Sequence, residues 1–459
     1  MLGRGPLIRL FLFISLVAAS LDAAAEDLVQ VYRDAQRYDA VYSGARYALE
    51  AGREKLPQGR SLLLPTLGLT GSFTKSRVDS ESRDPATAPN LNFLRRPEVD
   101  GYTLTFSQPV FRLQTFSQPV FRLQNWYQFE QGEQQVRQAE AAFGQASQDL
   151  IVRVSQAYFD VLSAQDTLGL ARAQKAAISE QLAQAKRNFE VGTATITDTH
   201  EAQARFDLIV AQEIAAQNDL ENKRRALQAL NGKEYAELAP LRADVRLAPP
   251  NPNNMQDWVD LAQKQSYPVA LQEATTEVAR LEAKRSFAAH LPTLDFIATY
   301  GKTGQSATIT SPVGSDVTTT QIGLQFALPL YQGGAISSRE REAAALYLKA
   351  KDDLENARRQ AALTAQQTYL SVINGIAQVG ALEQALVSSQ SALDSNKLGY
   401  EVGVRINIDV LNAQQQLFST RRDLSTARYN AILNQLRLKA AAGSLRDQDL
   451  EEVNRALSF

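Results

Sequence analysis

Hydrophobic and polar residues follow two different periods along this chain. Leu67, Leu69, Gly71 and Phe73 alternate with Thr66, Gly68, Thr70 and Ser72. Leu294, Phe296, Ala298 and Tyr300 alternate with Asp295, Ile297 and Thr299, and Ile322, Leu324, Phe326 and Leu328 with Gln321, Gly323, Gln325 and Ala327. Leu104 and Phe106 begin a fourth such run. Period two, with one apolar face and one mostly polar or small face, predicts half-buried strands. Each run is about ten residues long, which suits a tilted membrane strand.

Elsewhere the period lengthens. Ile178, Leu182, Ala185 and Phe189 recur at i, i+4, i+7 and i+11, and Val154, Tyr158 and Val161 keep the same spacing upstream. These are heptad-like seams. All 16 prolines fall at or before Pro329, and none lies between Pro119 and Pro240. The two proline-free stretches, 120–239 and 330–459, are rich in Ala, Gln, Leu, Glu and Arg, all strong helix formers. Val191-Gly192 and Val402-Gly403, each following an aromatic residue, are their main breaks. Each stretch therefore predicts two long helices folded at a glycine-marked turn. A helix from Tyr127 to Phe189 would measure roughly 95 Å, far beyond what an ordinary globular domain needs.

Composition narrows the function classes. The 459 residues carry 48 basic and 50 acidic side chains, a net charge of −2 that leaves no electrostatic footprint for nucleic acid. There is no cysteine, hence no disulfide, thiolate chemistry or cysteine-bound zinc. The two histidines, His200 and His290, are far apart, so no histidine-rich metal site is expected. A mean hydropathy of −0.27 excludes a bundle of membrane helices. Gly301-Lys302-Thr303 lacks the upstream glycine of a phosphate loop, and no catalytic triad or carboxylate pair is legible. The reading is a non-enzyme with no cofactor and no metal.

Residues 1–25 have the grammar of a secretory signal peptide. Arg4 and Arg9 precede the apolar run Leu10–Ala19, and Ala23-Ala24-Ala25 offers small residues before a cut at Glu26. The apolar run is too short to span a bilayer of about 30 Å.

An internal repeat organises the rest. Ala35-Gln36 and Leu64-Pro65-Thr66-Leu67 match Ala262-Gln263 and Leu291-Pro292-Thr293-Leu294 at a constant offset of 227. Tyr158, Phe189-Glu190-Val191-Gly192, Asp198 and Ala202-Gln203 match Tyr369, Tyr400-Glu401-Val402-Gly403, Asp409 and Ala413-Gln414 at an offset of 211. The expected organisation is a first repeat over 26–240, a linker at 241–255 around Asn251-Pro252-Asn253-Asn254, and a second repeat over 256–459. A local duplication is superimposed, because residues 105–114 recur unchanged as 115–124. Pro119 sits at offset 210 from Pro329, so the second copy is in register with the helices and the first is the insertion.

Four strands cannot close a barrel, and an open edge in lipid leaves backbone groups unsatisfied at several kcal/mol each. Two copies of the chain supply eight strands and three supply twelve. An eight-stranded barrel has an interior just filled by side chains, which favours three for a conducting pore. The other reading is a secreted periplasmic coiled-coil scaffold or adaptor without a pore.

The duplicated plan resembles the TolC family of outer-membrane efflux and type I secretion ducts. The likeness is carried by Leu64-Pro65-Thr66-Leu67, Ser117-Gln118-Pro119-Val120-Phe121, Asn188-Phe189-Glu190-Val191-Gly192, the stretch Gly399–Gln414 and Asp447-Gln448-Asp449-Leu450. It implies an all-α chain with a membrane β-barrel, four strands per chain. Three chains would form a homotrimeric twelve-stranded barrel in outer-membrane lipid. That barrel would continue into a long periplasmic α-helical barrel with a mixed α/β belt. The implied partners are a periplasmic adaptor (membrane fusion) protein and an inner-membrane transporter of ABC, RND or MFS type. Carried over by position, Tyr400, Arg405, Thr197 and Asp198 form a periplasmic gate latch, and Asp409 lines the constriction ring. The next inward position is Asn412 where a second acid is expected, which predicts weaker cation selectivity. Gly192, Thr193, Gly403 and Val404 become the tips that meet the adaptor.

Overall fold

The proline-poor stretches form four long helices. The computed structural model describes residues 26–68, 72–77, 98–104, 115–235, 237–242, 245, 247–305 and 313–458. The expected signal peptide, Phe106 and the first copy of the duplicated decapeptide lie outside these residues. Helices α1 (Leu28–Tyr38), α2 (Ala40–Arg53) and α3 (Lys55–Ser61) lead into strands β1 (Thr66–Gly68), β2 (Ser72–Arg77), β3 (Glu98–Leu104) and β4 (Thr115–Phe121). Then come α4 (Leu123–Glu190, 68 residues) and α5 (Ile196–Asn231, 36 residues). The order recurs as α6 (Met255–Gln265), α7 (Tyr267–Phe287), β5 (Thr293–Gln305) and β6 (Ser315–Ala327), then α8 (Ala335–Glu401, 67 residues) and α9 (Asn407–Ala441, 35 residues). A short α10 (Asp447–Asn454) closes the chain.

The chain divides into two compact units, each drawing on both sequence halves, because α4 and α8 run from one unit into the other. One unit comprises the chain up to Tyr47, Ala142–Ala270 and Ala357–Phe459. Its core gathers Leu28, Val31 and Ala35 of α1, Leu150, Val154, Tyr158 and Phe159 of α4, Leu227 of α5, Ile432 and Leu433 of α9 and Leu450 of α10. Burying each large apolar side chain contributes about 1.5–3 kcal/mol. The predicted seam is present further along α4, where Ile178, Leu182 and Ala185 bury against Ala202 and Ile209 of α5 and Leu411 of α9.

Polar side chains tie α1, α10 and the segment after α5 into this unit. The Tyr158 hydroxyl donates to the Ala239 carbonyl at 2.8 Å. The Asn454 side chain accepts from the Leu28 amide and donates to Asp27, and the Tyr32 hydroxyl donates to Asp447. The closing Asp447–Leu450 motif is thus structural: Asp449 accepts from the Arg446 amide at 2.7 Å and Leu450 is buried.

The other unit, Ala48–Ala141 with Leu271–Asn356, carries the strands. A four-stranded antiparallel sheet has the order β1-β4-β5-β6, and β2 and β3 pair separately. The second copy of the decapeptide supplies β4, which pairs with both β1 and β5. Register slips between Pro119 and Phe121, where proline has no N–H to donate to the ladder. Ile322, Leu324 and Phe326 on β6 are 70%, 67% and 64% exposed, an apolar face that the described residues leave uncovered.

Candidate functional site at the helix turns

The two turns at the ends of the long helices are built alike, and the reason is local. α4 and α8 both end in a Schellman motif. At the first, Gly192 N–H donates to the Phe189 carbonyl and Thr193 N–H to Asn188. At the second, Gly403 N–H donates to Tyr400 and Val404 N–H to Gly399. The motif needs a left-handed residue, and Gly192 and Gly403 have φ of 76° and 78°. A Cβ at either glycine would meet nothing within 4 Å, so left-handed φ, and not close packing inside the chain, is what demands glycine here.

The following helix starts differ. Thr195 caps α5 in a capping box: its hydroxyl accepts from the Asp198 amide at 3.3 Å, while the Asp198 carboxylate accepts from the Thr195 amide at 3.0 Å and its hydroxyl at 2.9 Å. The corresponding residue at offset 211 is Ile406, which has no oxygen, so α9 begins without a side-chain cap. Asp409, the counterpart of Asp198, is thereby free of capping duty and faces Arg405 at 3.7 Å.

The four residues of the expected latch are not brought together within one chain. Among the described residues, no hydrogen bond or ion pair joins Tyr400 or Arg405 to Thr197 or Asp198. The phenol oxygen of Tyr400 instead accepts from Asn188 Nδ2 at 3.1 Å, which links α8 to α4. Thr197 is exposed on the first turn of α5. Asn412 is exposed on α9 one helical turn beyond Asp409, at i+3. Its side-chain oxygen accepts from Arg205 of α5 at 2.8 Å. The tips expose apolar residues, with Val191, Val402, Val404 and Ile406 uncovered beside Thr193.

Sequence reading did not assign Asn188, Thr195, Ile406 or Arg205. Thr195-x-x-Asp198 is a legible capping signature, and Asn188 lies inside the motif that carried the family likeness. Nothing in the sequence pairs Arg205 with Asn412, because that contact depends on how α5 lies against α9. Among the described residues there is no cluster that could hold a metal ion.

The chain combines a four-stranded antiparallel sheet, whose edge strands have no further partner among the described residues, with two long helical hairpins, and solved outer-membrane channels share this fold. The outer-membrane protein VceC of Vibrio cholerae shares this fold, with a TM-score of 0.74 at 19% identity over 91% of this chain and 96% of that one. Residues 43–233 and 258–444 match the family described as "Outer membrane efflux protein", and the chain belongs to that family. The outer membrane protein TolC of Vibrio cholerae serotype O1 is 34% identical over 451 residues, covering 97% of this chain and 98% of its own length. The proteases secretion protein PrtF of Dickeya chrysanthemi is 30% identical over 457 residues, covering 98% and 95%. The protein is an exit duct of the outer membrane. The relatives are channels and transport proteins, not enzymes, and they do not favour the scaffold reading.

Proposed function

We propose that three copies of the chain assemble into a twelve-stranded outer-membrane barrel that opens into a gated helical tunnel. Through it the protein passively conducts cargo delivered by a periplasmic adaptor and an inner-membrane pump. The observation that carries this is the sheet itself. Its edge strands β1 and β6 have no further partner among the described residues, and β6 exposes Ile322, Leu324 and Phe326. A lipid-exposed edge has to be closed by another strand, and copies of the same chain supply matching edges. Apolar residues on α8, such as Leu370, Val387 and Leu398, are also exposed in the single chain and would be covered between copies.

The gate belongs at the turns around Gly192 and Gly403. The bond from Asn188 to Tyr400 holds the two hairpins of one chain together there. Arg405, 59% exposed, keeps donors free for the α4–α5 turn of a second copy, where Thr197 and Asp198 lie. Asp409 would ring the constriction. The exposed Val191, Val402, Val404 and Ile406 around Gly192, Thr193 and Gly403 offer an adaptor an apolar tip. The likeness of the two sequence halves points to a duplicated ancestral hairpin unit.

The deciding experiment joins mass and conductance. Detergent-extracted protein should have the mass of three chains and conduct weakly in a planar bilayer, and Tyr400→Phe with Arg405→Ser should raise the conductance sharply. A folded monomer with no conductance would overturn the proposal.

A further inference from the structure

We infer that Arg205 sets the charge of the constriction, with Asn412 serving as its neutral anchor and not as a vacant acidic position. The inference rests on the proposed placing of the constriction at the start of α9. Arg205 lies on the third turn of α5. Its guanidinium donates through Nη2 to Asn412 Oδ1 at 2.8 Å and through Nη1 to Gln415 Oε1. Both acceptors are neutral and no carboxylate among the described residues pairs with Arg205, so it brings a positive charge to the face of α9 that carries Asp409 one helical turn earlier.

That placement changes the electrostatics twice. In a trimer, three Arg205 guanidinia stand one turn from three Asp409 carboxylates, so the ring is partly neutralised and its attraction for cations weakened. The fork also bridges two helices of one chain, since α5 and α9 both start at the tips. A planar guanidinium holding two amide oxygens fixes their relative position in a way an ammonium could not.

An acid at position 412 would therefore not form a second free ring. It would accept the Arg205 fork as a charge-assisted pair and be neutralised within its own chain. A second acidic ring appears only when the guanidinium is removed as well.

The test is a four-protein comparison of wild type, Arg205→Gln, Asn412→Asp and the double variant, each read for reversal potential in a salt gradient and for block by La3+. Asn412→Asp alone should leave La3+ affinity within about twofold of wild type, whereas the double variant should bind La3+ about tenfold or more tightly. Arg205→Gln alone should shift the reversal potential toward cation selectivity. Thermal unfolding supplies a readout that needs no pore: Asn412→Asp should raise the midpoint with Arg205 present and not with Arg205→Gln. If Asn412→Asp tightens La3+ block as much as the double variant, and raises the midpoint equally in both backgrounds, Arg205 does not engage position 412. Wild-type protein that folds but does not conduct defeats the duct reading instead, and the unfolding comparison still decides whether the contact exists.

Discussion

Asn188 of α4 donates its side-chain amide to the phenol oxygen of Tyr400 on α8 at 3.1 Å, and each residue stands at the last turn of its helix. A neutral hydrogen bond of this kind contributes about 0.5–1.5 kcal/mol. It ties the hairpins without locking them, because a partner binding at the tips can supply that much differential free energy. Asn188→Ala and Tyr400→Phe are each expected to raise channel conductance, and the double variant no further than the stronger single one. Additive increases in bilayer recordings would show that the two side chains act separately.

The caps of α5 and α9 support a second prediction. Thr195→Ala should cost about 1 kcal/mol, as loss of a helix cap does. Ile406→Thr should do the reverse, since it recreates Thr-x-x-Asp ahead of α9 with Asp409 already at the third position. Ile406 is 61% exposed, so little burial is lost. The new cap would draw the Asp409 carboxylate toward the backbone and away from Arg405. Urea unfolding midpoints of the two variants should move in opposite directions; a fall with Ile406→Thr would defeat the argument.

How much of this was readable beforehand depends on distance along the chain. Helix hairpins and strands follow from local period and from proline and glycine placement, so Gly192 and Gly403 marked the turns and Ile322, Leu324 and Phe326 marked β6. The Asp198 capping box is local too, since Thr195 stands three residues before it. Contacts spanning some two hundred residues, such as Asn188 with Tyr400 or Arg205 with Asn412, depend on how hairpins lie side by side. The repeat gave their approximate register but not their side-chain partners. The compact units also cross the sequence halves, because helices of more than sixty residues carry the chain from one unit into the other.

At the base of the sheet, Arg122 grips Asp295 with two parallel bonds, Nε to Oδ1 at 2.8 Å and Nη2 to Oδ2 at 2.5 Å. Asp295 is buried on β5 opposite Pro119, while Arg122 is 45% exposed just past β4. Arg122→Ala leaves a buried carboxylate unpaired. The cost should be about 2–4 kcal/mol, at the lower side of the buried-pair range because water already shares the guanidinium. Arg122→Lys should recover only part, since an ammonium cannot make the fork. Asp295→Leu combined with Arg122→Met should lie nearer wild type than Arg122→Ala does. Heat resistance of the assembled protein in detergent, followed by gel mobility, ranks the four.

Acid should loosen the unit that holds α1, which neutral pH leaves intact. Burial pushes Asp34 up, but the Lys233 ammonium and Tyr235 hydroxyl, each bonded to it at 2.8 Å, together hold its carboxyl below the ordinary range. Burial likewise pushes Asp39 up, and the Arg153 guanidinium with the Tyr42 amide outweighs it. A carboxyl depressed in the folded state binds fewer protons there than in the unfolded chain around its ordinary pKa. Its stabilisation is therefore fully present above the unfolded value of about 4 and is lost as pH falls through the folded value. Resistance to urea should stay level from about pH 7 to 5 as far as these two groups control it, then decline below about pH 4. Asp34→Asn and Asp39→Asn should each lower stability at neutral pH and flatten the acid decline, because the titrating group is gone. A decline of unchanged steepness in the double variant would assign the acid sensitivity to other carboxylates.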